Sequence, residues 1–432
     1  MYFKKNKQKM TEQFLAFLWK YQRFEKQNLR TTNGNLIEIF GTGYQNENEG
    51  ADFQMVRFFW QNNEWIGTAE LHIKSSDWNK HQHQQDEGYN NVVLHIVWED
   101  DKPIFRADNS VIPTLELKNR TPNYLYQRWR SLELNENKIP CASHLSEIDE
   151  LMKAQLLENA MLHRLQQKSK LVKEIWLQNE LDWEETAYQL LVKSLGMKVN
   201  QAPFLRLATV LPFKIILKNR DNLLALEALL FGMAGFLEGE SKDNYHQQLQ
   251  KEFQFLAHKY QLNDKKLALK DWFFLRMRPA NFPTLRIAQL ASILHKNSTI
   301  FSLLIDENSA NIAEKLNVSA SVYWETHYQF GKETKNKYTK LGKNTIENLL
   351  INTVIPLKSC YYLEKDNDNG LVQVIEILEK IPAEKNKFID LWAKNGIKVK
   401  NGYDSQALLE QYHHFCTQKR CLECVIGIKI MK

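Results

Sequence analysis

The feature that most constrains this chain is a change of hydrophobic period near Pro140-Cys141. Before it, apolar residues alternate in short runs broken by turn signals. Beyond it, from about 145 to 295, they recur at helical spacing. A period of two buries one face of a strand and a period of 3.6 buries one stripe of a helix, so the two stretches demand different architectures. Strands followed by helices predict an α+β chain, an N-terminal mixed α/β domain on a small sheet and then a large, mainly α-helical region. Three segments are expected: an α/β domain over 1–144, a helical domain over 145–299, and a mainly helical C-terminal region over 300–432 that ends in a cysteine cluster.

Within the first segment, Phe14, Leu15, Phe17, Leu18 and Tyr21 mark an opening amphipathic helix with Thr11 as its N-cap. Asn33-Gly34 between extended runs predicts a hairpin. Met55, Val56, Phe58, Phe59 and Trp60 predict a strand with Asp52 at its entrance, and Gln61-Asn62-Asn63 turns the chain into the next strand. Ser75, Ser76 and Asp77 are cap-competent, so residues 75–90 are expected to start a helix. A strand from Val92 to Trp98 follows, then an edge strand that begins near Pro113, where a missing N–H is tolerated. In the helical region Trp176, Trp183, Tyr188 and the run from Leu223 to Phe231 read as core.

Composition narrows the function classes. The chain has 432 residues and a net charge of +6, which permits a nucleic-acid partner without demanding one. No apolar run reaches the roughly 20 residues that span a bilayer, so no membrane partner is expected. The basic opening residues carry no apolar stretch of secretory type, and a cytoplasmic protein is expected. Five cysteines, an odd number, do not make a disulfide framework. Cys416, Cys421 and Cys424 crowd the C-terminus, with Lys419 and Arg420 beside them to favour thiolates. Three soft ligands on one compact loop suit zinc or an iron–sulfur cluster, with Cys141, Cys360, His413 or His414 available as the fourth.

The chemistry concentrates in Thr68-Ala69-Glu70-Leu71-His72-Ile73-Lys74. In a strand Glu70, His72 and Lys74 share one face, while Ala69, Leu71 and Ile73 share the other. A helix, a hairpin, a strand, a helix and a strand, with an acid at one strand entrance and an acid plus lysine on the next, resemble the core of PD-(D/E)xK nucleases. The resemblance implies a metal-dependent nuclease in which Asp52 and Glu70 hold a divalent metal, Mg²⁺ or Mn²⁺. Lys74 would then orient water and stabilise charge at the scissile phosphate, with His72 as ligand or proton carrier. The family separates its acid and lysine by one residue, whereas Glu70 and Lys74 are four apart with His72 between them. Either His72 stands for the lysine, or His72 stands for the acid and Lys74 keeps its place, or the site is of another kind.

Two other readings use the same residues. His72, His81, His83 and His95, with Asp86, are of the types that ligate zinc in a hydrolase. Alternatively, Glu70, His72 and Lys74 form the wet face of an antiparallel sheet, on a scaffold that binds nucleic acid or protein without catalysis. The strings from Gly67 to Trp78, Tyr89 to Val97, Asn281 to Leu290 and Lys419 to Gly427 look like a bacterial family recorded only as a domain of unknown function. That resemblance runs essentially end to end and implies one complete protein, but it supplies no activity.

Overall fold

The computed structural model describes residues 10–46, 49–275, 277–306, 308–335 and 339–432. The basic opening stretch, residues 1–9, lies outside them. The architecture is α+β, with a mixed sheet in the N-terminal part and helices throughout most of the rest. The chain divides into two compact units. The first takes in the chain through Leu156, together with Asn395–Ile397 and Gln411–Lys432; the second comprises Leu157–Lys394 and Lys398–Glu410.

The first unit opens with helix α1, Glu12–Lys20, whose cap Thr11 accepts the Phe14 amide through its hydroxyl at 3.3 Å. Strands β1 (Ile37–Gly41), β2 (Tyr44–Gln45), β3 (Phe53–Trp60), β4 (Asn63–Lys74), β5 (Val92–Glu99) and β6 (Thr114–Glu116) form one sheet. Its order is β1-β3-β4-β5-β6, with β2 on the start of β3. The pairings are antiparallel from β1 to β4 and parallel from β4 to β6. Asn33-Gly34 does make a tight turn, but its strands meet at the single bridge Arg30↔Leu36, and β1 finds its long partner in β3. Residues 75–90 form one α-helical turn, α2 (Asp77–Lys80), and two 3₁₀ turns, because Gln82 adopts a left-handed φ of 63°.

The change from antiparallel to parallel pairing explains the burial of the sheet. On β3, Phe53, Val56, Phe58 and Trp60 are buried while Arg57 and Phe59 are exposed, the one-sided pattern of an antiparallel strand. Where β4 takes β5 as a parallel neighbour, Ala69, Glu70, Leu71 and His72 are all buried. Ala69, Leu71, Leu94, Ile96 and Leu115 meet α1 and helix α3 (Asn123–Leu134), and Phe14 stacks on Trp129 at 4.6 Å. The C-terminal residues Leu422 and Met431 join this core. The opposite face is covered by residues 75–112, with Trp78, Val92, Ile104 and Ile112 packed together over Ala51. Glu70 is 6 % exposed and His72 1 %, so the expectation of a solvated outer face does not hold here.

The second unit is mainly helical and carries a small hairpin, His327–Gln329 with Lys332–Glu333. Helix Leu223–Met233 is buried from Ala225 onward, and Pro283–Lys296 from Pro283 to Leu294, so both run through the centre. Gly232 is required by contact: a Cβ there would meet the Phe253 ring at 2.2 Å.

Candidate metal centre

Local backbone geometry brings the two predicted acids together. The β3–β4 register passes from Phe53↔Ala69 to Val56↔Gly67, which leaves one extra residue on β3, and Met55 sits at φ 56°. Such a bulge bends a strand and re-aims its neighbours. It sets Asp52 across from the end of β4, where the Asp52 amide donates to Glu70 Oε2 at 3.1 Å and Asp52 Oδ2 accepts the Leu71 amide at 3.0 Å. Each carboxylate is thus positioned by backbone next to the other.

The parallel register places Glu70 beside His95, and His72 Nδ1 lies 2.9 Å from His95 Nε2. The covering segment supplies the rest. Ser75 Oγ accepts the amides of Asp101 and Lys102 at 3.0 and 2.9 Å, and the buried Trp78 donates its indole N–H to the Phe105 carbonyl at 3.2 Å. The left-handed turn at Gln82 then directs His81 and His83 toward the sheet. His81 Nδ1 lies 3.2 Å from His72 Nε2, and Glu70 Oε1 lies 3.5 Å from His83 Nε2 and 3.8 Å from His72 Nε2. Tyr89 and Trp78 wall His83, with ring centroids 3.8 and 5.3 Å from it.

Burial favours the uncharged forms of His72, His83, His95 and Glu70. The His72 imidazole is pushed down to about 3, by desolvation first and then by His83 and His81. Desolvation lowers His83 and His95 as well. The Glu70 carboxyl is raised to about 9, by burial first and then by the charge of Asp52, which burial also raises. Neutral imidazoles carry free lone pairs, and two carboxyls forced together in a dry site favour a neighbouring cation. The buried His83 Nε2 has no hydrogen-bond partner, although it faces Glu70 Oε1.

These atoms fit a metal ion. Among the described residues, the group of three or more His, Cys, Asp or Glu whose ligand atoms lie within 4.8 Å of one another is His72, His81 and His83. A tetrahedral ion with bonds of about 2.0–2.1 Å separates its donors by about 3.4 Å. The separations here, 3.2 Å between His72 and His81 and 3.5 and 3.8 Å from Glu70 to His83 and His72, bracket that value. With His72 Nε2 as donor, Nδ1–H points at His95 Nε2, the outer hydrogen bond by which ligating histidines are commonly oriented. His81 is exposed, so the centre is reachable from solvent.

Of the residues singled out by the sequence, Asp52, Glu70 and His72 converge. Lys74 lies on their strand face but is half-exposed, and its ammonium pairs with Asp101 at 3.5 Å. His81 and His83 join the centre, His95 stands behind His72, and the Asp86 carboxylate accepts the Gly88 amide at 2.8 Å as a turn residue. Glu12 was not anticipated. Burial raises its carboxyl, followed by the charge of Asp52, and it also senses His81 and Asp77. An acid in the first turn of the opening helix was the available signal. Cys416, Cys421 and Cys424 lie outside the imidazole group.

No curated protein and no solved structure matches the chain. One family model does, over residues 12–387, most of the chain's length. That match carries no activity with it, yet it spans α1, the whole sheet and every residue of the histidine centre. The chain belongs to the family described as Protein of unknown function (DUF2851).

Proposed function

We propose that the first unit is a metal-dependent hydrolase that cleaves phosphodiester bonds in nucleic acid. The observation that carries the reading is the convergence of His72, His81 and His83, whose ligand atoms lie within 4.8 Å of one another, with Glu70 Oε1 3.5 Å from His83 and 3.8 Å from His72 and the second carboxylate, Asp52, beside Glu70. It is supported by the order of elements: α1, an antiparallel β1-β3-β4 meander, a short helical cover and a parallel β5, with the acids at the β3 entrance and on β4. That is the arrangement that the PD-(D/E)xK resemblance implies. The donor set departs from that pattern. Imidazoles suit zinc and related transition ions better than Mg²⁺, so Zn²⁺ or Mn²⁺ is the proposed ion.

A bound ion would supply Lewis acidity toward a phosphoryl oxygen and lower the pKa of water. The chain's own residues do the rest. His72, His81 and His83 would present their lone pairs to it, and an Nδ1–H bond from His72 to His95 Nε2, 2.9 Å away, would set the His72 tautomer. The Asp52 amide holds Glu70 Oε2, which leaves Oε1 toward the imidazoles as ligand or proton acceptor. Lys74, committed to Asp101, has no part in this arrangement.

The test is cleavage of single- and double-stranded DNA and RNA by metal-stripped protein reconstituted with Zn²⁺, Mn²⁺ or Mg²⁺. Wild type is compared with Asp52→Ala, Glu70→Ala and His83→Ala, with folding followed by circular dichroism. Metal-dependent cleavage lost in all three folded variants is expected. Cleavage retained in Glu70→Ala and His83→Ala would refute the assignment.

A further inference from the structure

Strand β4 carries more than the metal centre. Both register shifts beside it fall on its partners, one at Met55 on β3 and one on β5, where Thr68↔Val92 passes to Ala69↔Leu94, so β4 itself alternates regularly. Ile66 and Thr68 therefore share a face with Glu70 and His72, about 13 Å and about 6.7 Å before Glu70 along the strand. Pairing with β5 begins at Thr68, so the preceding stretch of β4 has no parallel neighbour. An open cleft of about 530 Å³ lies there, a volume within the range of small-ligand sites, about 300–1,000 Å³.

Tyr44, Met55 and Ile66 give the cleft apolar surface, and each is more than half exposed. Met55 is the bulge residue, so the backbone that brings Asp52 to Glu70 also sets this side chain in the cleft. A methionine held at φ 56° is the kind of strain that gathers at ligand sites. The polar lining is neutral where it is available: Asn90 and Asn91 are exposed, and Tyr44 Oη donates to Gln54 Oε1 at 2.9 Å. The charged residues of the lining are committed to their own loop. Arg106 donates to the Val92 carbonyl from Nε and Nη2, at 3.2 and 2.9 Å, and to Ser110 Oγ from Nη1 at 2.9 Å, while Asp108 Oδ1 accepts the Ser110 amide at 2.9 Å. The buried Thr68 hydroxyl, between the cleft and Glu70 on β4, has no hydrogen-bond partner among the described residues. Asn90 also follows Tyr89, whose ring lies 3.8 Å from that of His83, so a second segment joins cleft and centre.

We propose that this cleft is a base-binding subsite, and that the first unit therefore takes single-stranded or locally unpaired nucleic acid. The proposal rests on the hydrolytic reading for what happens at the centre, but not for the binding itself. An exposed aromatic ring above an apolar floor suits the face of a nucleobase, which stacks whatever its identity. Side-chain amides carry both donors and acceptors and so match base edges. Neither charge in the lining is free, so the cleft takes the neutral ring, and the adjoining phosphate passes Thr68 toward the imidazoles. Inside a duplex a base is stacked and its edge is paired, so it enters such a cleft only when unpaired.

The test reads binding by the full chain, stripped of metal and again after reloading with Zn²⁺, through the fluorescence anisotropy of labelled strands. The probes are single-stranded DNA, single-stranded RNA, the matching duplexes, and a DNA strand with abasic sites. The preferred single strand, DNA or RNA, is expected to bind at least about tenfold tighter than its duplex, and DNA at least about tenfold tighter than the abasic strand. Tyr44→Ala should weaken single-strand binding about 5- to 150-fold, the loss of one base stack, whereas Tyr44→Phe, which keeps the ring, should stay within a few-fold of wild type. Photocrosslinking of wild type to an iodouracil-containing strand needs no variant, and should mark Tyr44 or the segment 89–93. Equal binding of duplex or abasic strand, no loss in Tyr44→Ala, crosslinks confined to other segments, or no binding at all would each overturn the subsite. Base-dependent binding through Tyr44 without cleavage under any metal would uphold the subsite and remove the hydrolytic reading. Metal-dependent cleavage that Tyr44→Ala leaves unchanged would do the reverse.

Discussion

Loading the imidazole centre should expel a proton from Glu70. Its carboxyl, raised to about 9 by burial and by Asp52, is protonated at neutral pH in the metal-free chain. An ion placed beside Oε1 must displace that proton. Ionising a carboxyl about two units below its pKa costs about 2.7 kcal/mol, at about 1.36 kcal/mol per unit. Apparent affinity at about pH 7 should therefore lie about 100-fold below its value above about pH 9, and rise about tenfold per unit between about pH 6 and 8. His72 adds nothing in this window, because it is held neutral down to about 3. Calorimetric titration with Zn²⁺, in buffers of different ionisation enthalpy, should show about one proton released per ion through Glu70. Glu70→Gln should lose that proton and the pH slope with it. The reasoning is refuted if wild-type affinity is flat across the range, or if Glu70→Gln releases as many protons as wild type.

Other consequences follow from the same geometry. The metal-free chain should be squeezed from both sides of the pH scale. Glu70, with its folded pKa raised from 4.5 to about 9, favours the fold below about 4.5 and loses that contribution as pH rises. His72, lowered from 6.5 to about 3, contributes above about 6.5 and loses it as pH falls. Thermal melts of stripped protein should peak between these limits, and Glu70→Gln should flatten the alkaline fall; an unchanged alkaline fall would contradict the assignment. Burial raises Glu70 first and the Asp52 charge second, so Asp52→Asn removes the second cause and should move the rise of metal affinity part of the way to lower pH, as the same titrations would show. Lys74→Ala should cost at most about 1 kcal/mol in denaturant midpoint and leave turnover within a few-fold, since its ammonium belongs to a surface pair; loss of all cleavage would restore it to the site. Phe14→Ala, which empties the place stacked on Trp129, should cost about 3–5 kcal/mol by urea denaturation.

The histidines show where sequence reading stops. A row of Glu70, His72 and Lys74 is legible because strand periodicity alone puts them on one face. Which of them is buried is not local information. It depends on β5 arriving parallel to β4 and on residues 75–112 covering that end of the sheet. His81 and His83, in a Gln-rich segment, are recognisable from the sequence only as ligand types. They face the sheet because Gln82 turns left-handed and Trp78 is pinned to the Phe105 carbonyl, two conditions that no spacing in the sequence displays. Lys74 illustrates the reverse: it keeps its predicted face, but at the strand end Asp101 captures its ammonium.

By itself the sequence determined the segregation of strands and helices, the opening capped helix, the acid at the β3 entrance and the clustering of three cysteines. These follow from periodicity, caps and turn residues, which act over a few positions along the chain. Only the tertiary structure decided that a bulge at Met55 brings Asp52 to Glu70, and that four histidines stack behind and around that pair. It also returned Gln411–Lys432 to the first unit. The physical reason is the same in each case: desolvation and side-chain convergence depend on which distant segments share a core, and hydrophobic period reports only that a face is buried, not against what.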